Sequence, residues 1–104
     1  MKALVYDDVE TLVFRDMPDP VPSAEHSLIK IAASGICGSD MHAYLGRDDR
    51  RPAPLILGHE AAGLVQDGPM KGQRVTVNPL VTCGHCDFCR EGRENICQSR
   101  QIIS

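Results

Sequence analysis

Four cysteines crowd into one short segment: Cys83, Cys86, Cys89 and Cys97 follow C-x2-C-x2-C-x7-C, written here as CGHCDFCREGRENIC. Four thiolates on one loop can close a tetrahedral shell around Zn²⁺, and glycines such as Gly84 and Gly92 let the backbone wrap the ion. A shell closed by four sulfurs leaves no position for a substrate, so the role read here is structural. In small modules a bound zinc contributes on the order of 10 kcal/mol of apparent binding free energy. A disulfide framework fits poorly, because the fifth cysteine, Cys37, stands apart and makes the number odd. Two other metal readings share part of the pattern. The first three cysteines keep the C-x2-C-x2-C rhythm of iron–sulfur ferredoxins, but the fourth follows after seven residues instead of three and precedes Gln98 where that run has proline. A nucleic-acid-binding zinc ribbon would want a basic surface, whereas Arg90, Arg93 and Arg100 are matched by Asp87, Glu91 and Glu94. His85 lies inside the cluster and could ligate, yet four cysteines already fill the shell, so it is read as a surface residue.

The remaining composition fits one small domain that needs such a crosslink. The chain has 104 residues and no tryptophan, with aromatics at 4%, so a core must come from Val, Ile, Leu and Ala. A formal charge of −3 has the wrong sign for a generic phosphate binder, and nucleic acid is excluded as a partner. Lys2, Asp7, Asp8 and Glu10 interrupt the opening residues where a signal peptide needs an apolar run. No stretch reaches transmembrane length, so no membrane is expected. Clustered thiols without a signal point to metal ligation in a reducing compartment, hence a cytoplasmic protein.

Most of the chain reads as short strands. KALVYDD and VETLVFRD suggest a hairpin turning near Asp7 and Asp8, with Val and Leu alternating inward. Pro18, Pro20 and Pro22 withhold backbone donors and make a connector. Residues 27–36 form another strand, and CGSDMHAYLG supports a short helix over 39–45, with Ser39 able to serve as its N-cap. Residues 47–54 hold two Asp, three Arg and two Pro and should form an exposed loop. LILGHEAAGLV and QRVTVNPLV read as two strands joined by the turn-forming DGPMKG. The sum is a mainly β, barrel-like domain with short helices. The final IIS is apolar and β-prone with no turn or polar tail behind it, which reads as part of a longer chain.

A second constellation joins Cys37 to His59 and Glu60 in LGHEAAG. Thiolate, imidazole and carboxylate from separate segments make a mixed set with room for an exchangeable ligand, which is catalytic-zinc chemistry. By composition alone, a buried free thiol and a core histidine are the commoner pair. The H-E-x-x-H metalloprotease motif is excluded, since Gly63 stands where its second His is required.

The conjunction of MKALVY, GICGSDMH, PLILGHEAAG and NP before the cysteine cluster, in this order, is similar to the N-terminal part of the zinc-containing medium-chain alcohol and polyol dehydrogenases, in wording nearest the sorbitol-type and threonine-type members. The resemblance implies that residues 1–104 are the N-terminal portion of a GroES-like, partly open β-barrel, with a structural-zinc lobe at 83–97 and a Rossmann half outside the chain. It implies a catalytic zinc on Cys37, His59 and Glu60, the last being a direct ligand in some members. It implies that Ser39 hydrogen-bonds the alcohol, that His42 takes the proton through the cofactor ribose, and that Asp40 accepts from the free imidazole N–H of His59. The rival for Asp40 is an exposed first-turn acid favoured by the helix dipole. Histidine's ordinary pKa suits the acceptor role. The implied cofactors are Zn²⁺ and NAD or NADP, the partner is a small alcohol or polyol, and the full-length protein is a homo-oligomer. Gly38 replaces the basic residue that liver-type members direct at cofactor phosphates. The link LVQDGPMKGQRV is shorter than usual, with Gln73 in place of the usual Asp, and predicts a clipped surface turn. No dinucleotide fingerprint occurs, so these residues alone are expected to be inactive.

Overall fold

A computed structural model describes residues 1–103, and Ser104, the last residue of the apolar end, lies outside them. The mainly β expectation holds, with the strands divided among three small sheets. Strands β1 (Lys2–Asp8) and β2 (Thr11–Asp16) form the opening antiparallel hairpin. Its turn falls at Val9 and Glu10, not at Asp7 and Asp8. Glu10 takes the left-handed conformation (φ 55°), and a register shift between Tyr6 and Asp8 carries both aspartates past the predicted corner. The inward set also differs from the expected Val and Leu alternation. Ala3, Val5 and Tyr6 are buried, while Leu4 and Leu12 are 51% and 45% exposed. The buried face is that of Ala3 and Val5; Tyr6 shares the outer face with Leu4 and is the exception there, at the point where its N–H donates to Leu55 O (2.8 Å) and its C=O accepts from the Leu55 N–H (2.9 Å).

The proline segment carries no regular strand, as expected of residues that cannot donate. Strand β3 (Ile29–Ser34) lies within the predicted run and pairs antiparallel with β4 (Ala61–Val65), which pairs in turn with β5 (Arg74–Thr76). The predicted strand through LILGHEAAGLV begins only at Ala61. Gly58 at φ 120° breaks the extended path, and Leu55 contributes only its isolated bridge to Tyr6. The second predicted strand is split as well. β5 ends at Thr76, and β6 (Leu80–Val81) joins a different sheet with β7 (Gln101–Ile102). Pro79, which cannot donate, and Asn78, whose Oδ1 accepts from the Leu80 N–H at 3.0 Å, separate them. The short link between β4 and β5 is the tight turn the sequence predicts, closed by Gly72 N–H to Val65 O (2.9 Å).

Helix α1 spans Gly38–Tyr44, one residue ahead of the prediction. Cys37, not Ser39, is the N-cap. The hairpin corner holds its other end. Glu10 N–H donates to Tyr44 O (2.8 Å), Tyr44 Oη donates to Glu10 O (3.0 Å), and Ala43 is fully buried between them and the rest of the fold. Helix α2 (Asp87–Arg90) and a 3₁₀ turn (Glu94–Ile96) shape the cysteine segment. Among the described residues no helix is long and apolar enough to cross a membrane.

The core is thin. Its buried apolar members are Ala3, Val5, Tyr6, Ala43, Val65 and Cys97, while Phe14, Ile36 and Val21 are 70–87% exposed. The Cα radius of gyration is 15.5 Å, against ~13 Å for a compact chain of this length. Backbone pairing and local polar contacts therefore carry much of the organisation. Gly63 is a sensitive point: a Cβ there would collide with the carbonyl oxygen of Lys30 across the β3–β4 ladder, a backbone atom that cannot swing away. Gly63→Ala should cost about 1–3 kcal/mol by urea denaturation, the range for overpacking a fitted site. An unchanged midpoint would show that the sheet can open there without strain.

Candidate metal and catalytic site

Among the described residues two donor clusters stand in the fold, and they coincide with the two sets read from sequence. In each, one ligand atom per residue lies within 4.8 Å of the others: Cys83, Cys86, Cys89 and Cys97 in one, and Cys37, His59 and Glu60 in the other.

The four-sulfur cluster is built by backbone donors. Cys86 N–H points at Cys83 Sγ (3.3 Å), Cys89 N–H at Cys86 Sγ (3.5 Å), and both Cys83 and Ser99 N–H at Cys97 Sγ (3.4 Å each). Gly84, in the left-handed region at φ 74°, turns the chain back after Cys83. The thiols respond unequally. Backbone N–H groups of Cys89 and Gln98 hold Cys86 down to about 6, and the Cys83 N–H likewise lowers Cys97, whereas burial pushes Cys89 up to about 12. Sulfurs this close, with Cys83 and Cys89 Sγ 3.9 Å apart, can all be thiolates only if a cation shares them. All five cysteines are free thiols. His85 is exposed, its Nδ1 2.9 Å from Cys83 O, and stands outside the donor set.

The mixed cluster is assembled by strand register. β3 pairs with β4 up to Ser34↔Ala61, and Gly35 N–H extends the ladder to Glu60 O at 2.9 Å. Cys37, two residues on, thereby meets His59 and Glu60. A Cβ at Gly35 would collide with the Glu60 carboxylate, so glycine leaves room for that side chain in the cluster. His59 and Glu60 also line an open cleft of about 450 Å³ bounded by Ala33, Ser34, Thr76 and Val77.

Asp40 links the helix to this cluster. Its Oδ2 accepts from the Cys37 N–H at 2.9 Å, closing the α1 cap, and its Oδ1 lies 3.6 Å from His59 Nδ1. That is ion-pair range but too long for a hydrogen bond, and Nδ1 is a buried nitrogen without a hydrogen-bond partner among the described residues. Asp40 is 7% exposed, which removes the reading of it as a solvent-facing first-turn acid. Ser39 and His42 lie on the same helix, half-buried and exposed respectively, and share a second cavity of about 450 Å³ with Arg47, Asp49 and Arg50.

The loop at 47–54 is largely exposed, as expected, but two of its charged side chains are drawn in. Arg51 and Asp48 have side chains only 11% and 8% exposed. Arg51 Nε donates to Asp48 Oδ2 (2.9 Å), Nη1 to Asp40 Oδ1 (3.3 Å), and Nη2 to Ser39 O. Reading the loop by composition misses Arg51. The available signal was its place three residues after Asp48 in the loop that leads to LGHE, where a paired arginine can enter a site that a lone charge cannot.

Residues 23–104 match the alcohol dehydrogenase GroES-like domain. The chain belongs to that family. A sorbitol dehydrogenase of Bacillus subtilis strain 168 is 41% identical over 113 residues, covering 100% of this chain and 32% of that protein. A Haemophilus influenzae protein described as an uncharacterized zinc-type alcohol dehydrogenase-like protein is 39% identical, over 99% of this chain and 32% of its own length. Among solved structures, the short chain alcohol dehydrogenase RspB of Escherichia coli CFT073, complexed with NADH, superposes with a TM-score of 0.83 at 34% identity, covering 99% of this chain and 32% of that one. The chain thus spans about a third of the length of these relatives. The fold is the GroES-like β domain that the sequence resemblance implies.

Asp48 offers a test of the loop's anchoring. Hydrogen bonds from Arg50 and then Arg51 lower its carboxyl from 3.8 to about 2. A carboxylate depressed on folding stabilises the chain above the unfolded value and loses that contribution as pH falls through the folded one. The stability gap between wild type and Asp48→Asn should be widest above pH 3.8 and close toward pH 2. A gap independent of pH would show that these ion pairs do not set it.

Proposed function

We propose that the chain is the metal-carrying, N-terminal portion of the catalytic domain of a zinc-dependent dehydrogenase that oxidises an alcohol or polyol with NAD or NADP, with residues 83–97 as its structural-metal lobe. The observation that carries this reading is the coexistence, in one GroES-like domain, of a closed four-thiolate set and an open Cys37–His59–Glu60 set. The names of the sorbitol and zinc-type relatives, and the NADH bound to RspB, support it.

The residues suit the groups proposed. Cys83, Cys86, Cys89 and Cys97 offer four sulfurs among converging backbone donors, which favours thiolate ligation. Cys37, His59 and Glu60 offer sulfur, nitrogen and oxygen with a cleft beside them, which leaves access for an exchangeable ligand. When bound, Zn²⁺ supplies Lewis acidity toward an alcohol oxygen, and the nicotinamide supplies a hydride acceptor. Asp40 faces His59 Nδ1 and so favours the tautomer protonated there, leaving Nε2 as the donor atom. Ser39 would hydrogen-bond the alcohol hydroxyl and pass its proton on, and His42, on the same helix and lining the same cavity, would accept that proton by way of the cofactor ribose. Thiolate ligation suits a reducing compartment, consistent with a cytoplasmic enzyme.

Metal analysis and substitution in the complete protein test the division of labour. Two zinc ions per chain are expected. Cys83→Ser should lower thermal stability more than turnover, and Cys37→Ser should abolish turnover while the fold and one zinc remain. Iron with a visible charge-transfer spectrum, or the reverse pattern between the two variants, would overturn the assignment. His42→Ala should slow oxidation by roughly 10²-fold near neutral pH and progressively less as alkaline solvent takes over the proton. An unchanged pH–rate profile would remove His42 from the proton path.

A further inference from the structure

We infer that Arg51 is a positioning residue for the open metal site, acting through Asp40. The inference rests on the proposed function in one respect: the Cys37–His59–Glu60 set must hold a metal. Asp40 is the carboxylate through which α1 addresses two of those donors, one oxygen on the Cys37 N–H at 2.9 Å and the other 3.6 Å from His59 Nδ1. A carboxylate this buried needs a partner to hold its charge and its rotamer. Arg51 supplies one. Its Nη1 meets the same Oδ1 that faces His59, at 3.3 Å, while Nη2 donates to Ser39 O in the first turn of α1 and Nε to Asp48 on the loop.

Three acceptors on two segments thus meet one planar guanidinium. The fork geometry matters, because an ammonium is a point charge that cannot meet all three in fixed directions. Arg51 is not one of the metal donors, and it meets α1 at the Asp40 carboxylate and the Ser39 carbonyl. These contacts give it a route to the metal through the carboxylate and through the backbone turn that presents Cys37 and Ser39. A carboxylate beside a ligand sets that ligand's orientation, and removing such a partner typically weakens metal binding 10- to 100-fold, which is the upper bound for losing the arginine that holds the carboxylate.

The test uses the complete protein, zinc titration against a chromophoric chelator, and the visible spectrum of the Co²⁺-substituted form. Arg51→Gln should keep the four-thiolate metal and bind the second more weakly, by up to about 10- to 100-fold, with altered d–d bands from the mixed site and unchanged bands from the cysteine site. Arg51→Lys should show a smaller loss of the same kind. Asp40→Asn should weaken the same metal, and the double variant should be no weaker than the worse single one, because both remove a single route. Wild-type affinity and spectrum in Arg51→Gln, or additive losses in the double variant, would overturn the inference while leaving the proposed function standing. If Arg51→Gln fails to fold, shown by loss of the cysteine-bound metal, a folded Arg51→Lys with wild-type affinity would overturn it equally. A wild-type protein holding one metal would sink the functional reading, and this inference with it.

Discussion

Everything at the open site depends on the register of one pair of strands. β3 and β4 pair so that Ser34 faces Ala61 and Gly35 bonds to Glu60, and from there two residues suffice to bring Cys37 beside His59. A slip of one residue would turn every side chain on β3 to the opposite face and part the donors. The same ladder forces Gly63 to lie against the Lys30 carbonyl and Gly35 against Glu60, so glycines at these two places are consequences of the pairing. With so few large apolar side chains inside, backbone hydrogen bonds and local polar anchors take over work that a deeper core would do elsewhere.

Helix α1 shows how those anchors are shared. Its start is capped by Cys37 and Asp40, its end is tied to the hairpin corner through Glu10 and Tyr44, and its first turn is gripped by Arg51 from the loop. These seven residues and their N-cap therefore present a metal donor, a carboxylate beside a second donor, and the Ser39 and His42 pair from one short element. The cysteine lobe is organised by different means. It draws on backbone N–H groups aimed at sulfur, among them those of Cys83, His85, Cys86, Cys89 and Ser99, and a short helix and a 3₁₀ turn suffice to shape it.

The structure departs from the sequence reading in two ways: some differences come from a partner distant along the chain, others from local backbone conformation and contacts among neighbouring residues. Leu4 and Leu12 were expected inside because alternation alone cannot tell which face of a hairpin is covered. In the fold it is the Ala3 and Val5 face that is covered, and of the other face only Tyr6, bridged to Leu55, is buried. Arg51 was placed on the surface because an arginine in a proline- and aspartate-rich loop is ordinarily solvated, and only the approach of α1 supplies Asp40 and the Ser39 carbonyl. Ser39 lost the cap position to Cys37 because Asp40 reaches back to the Cys37 N–H, a reciprocal contact that one-residue cap preferences do not contain.

Local chemistry alone was enough to determine the four-cysteine set, the β-rich pattern, the short helix after Cys37 and the tight β4–β5 turn. Each depends on residues near one another in the chain, where spacing and backbone preference act directly. The tertiary structure decided the rest: that Cys37 meets His59 and Glu60, that Asp40 is buried between them, and that Arg51 stands behind it. Those contacts join segments brought together only by strand pairing and loop closure, and the sign of a face or the burial of a charge is settled there.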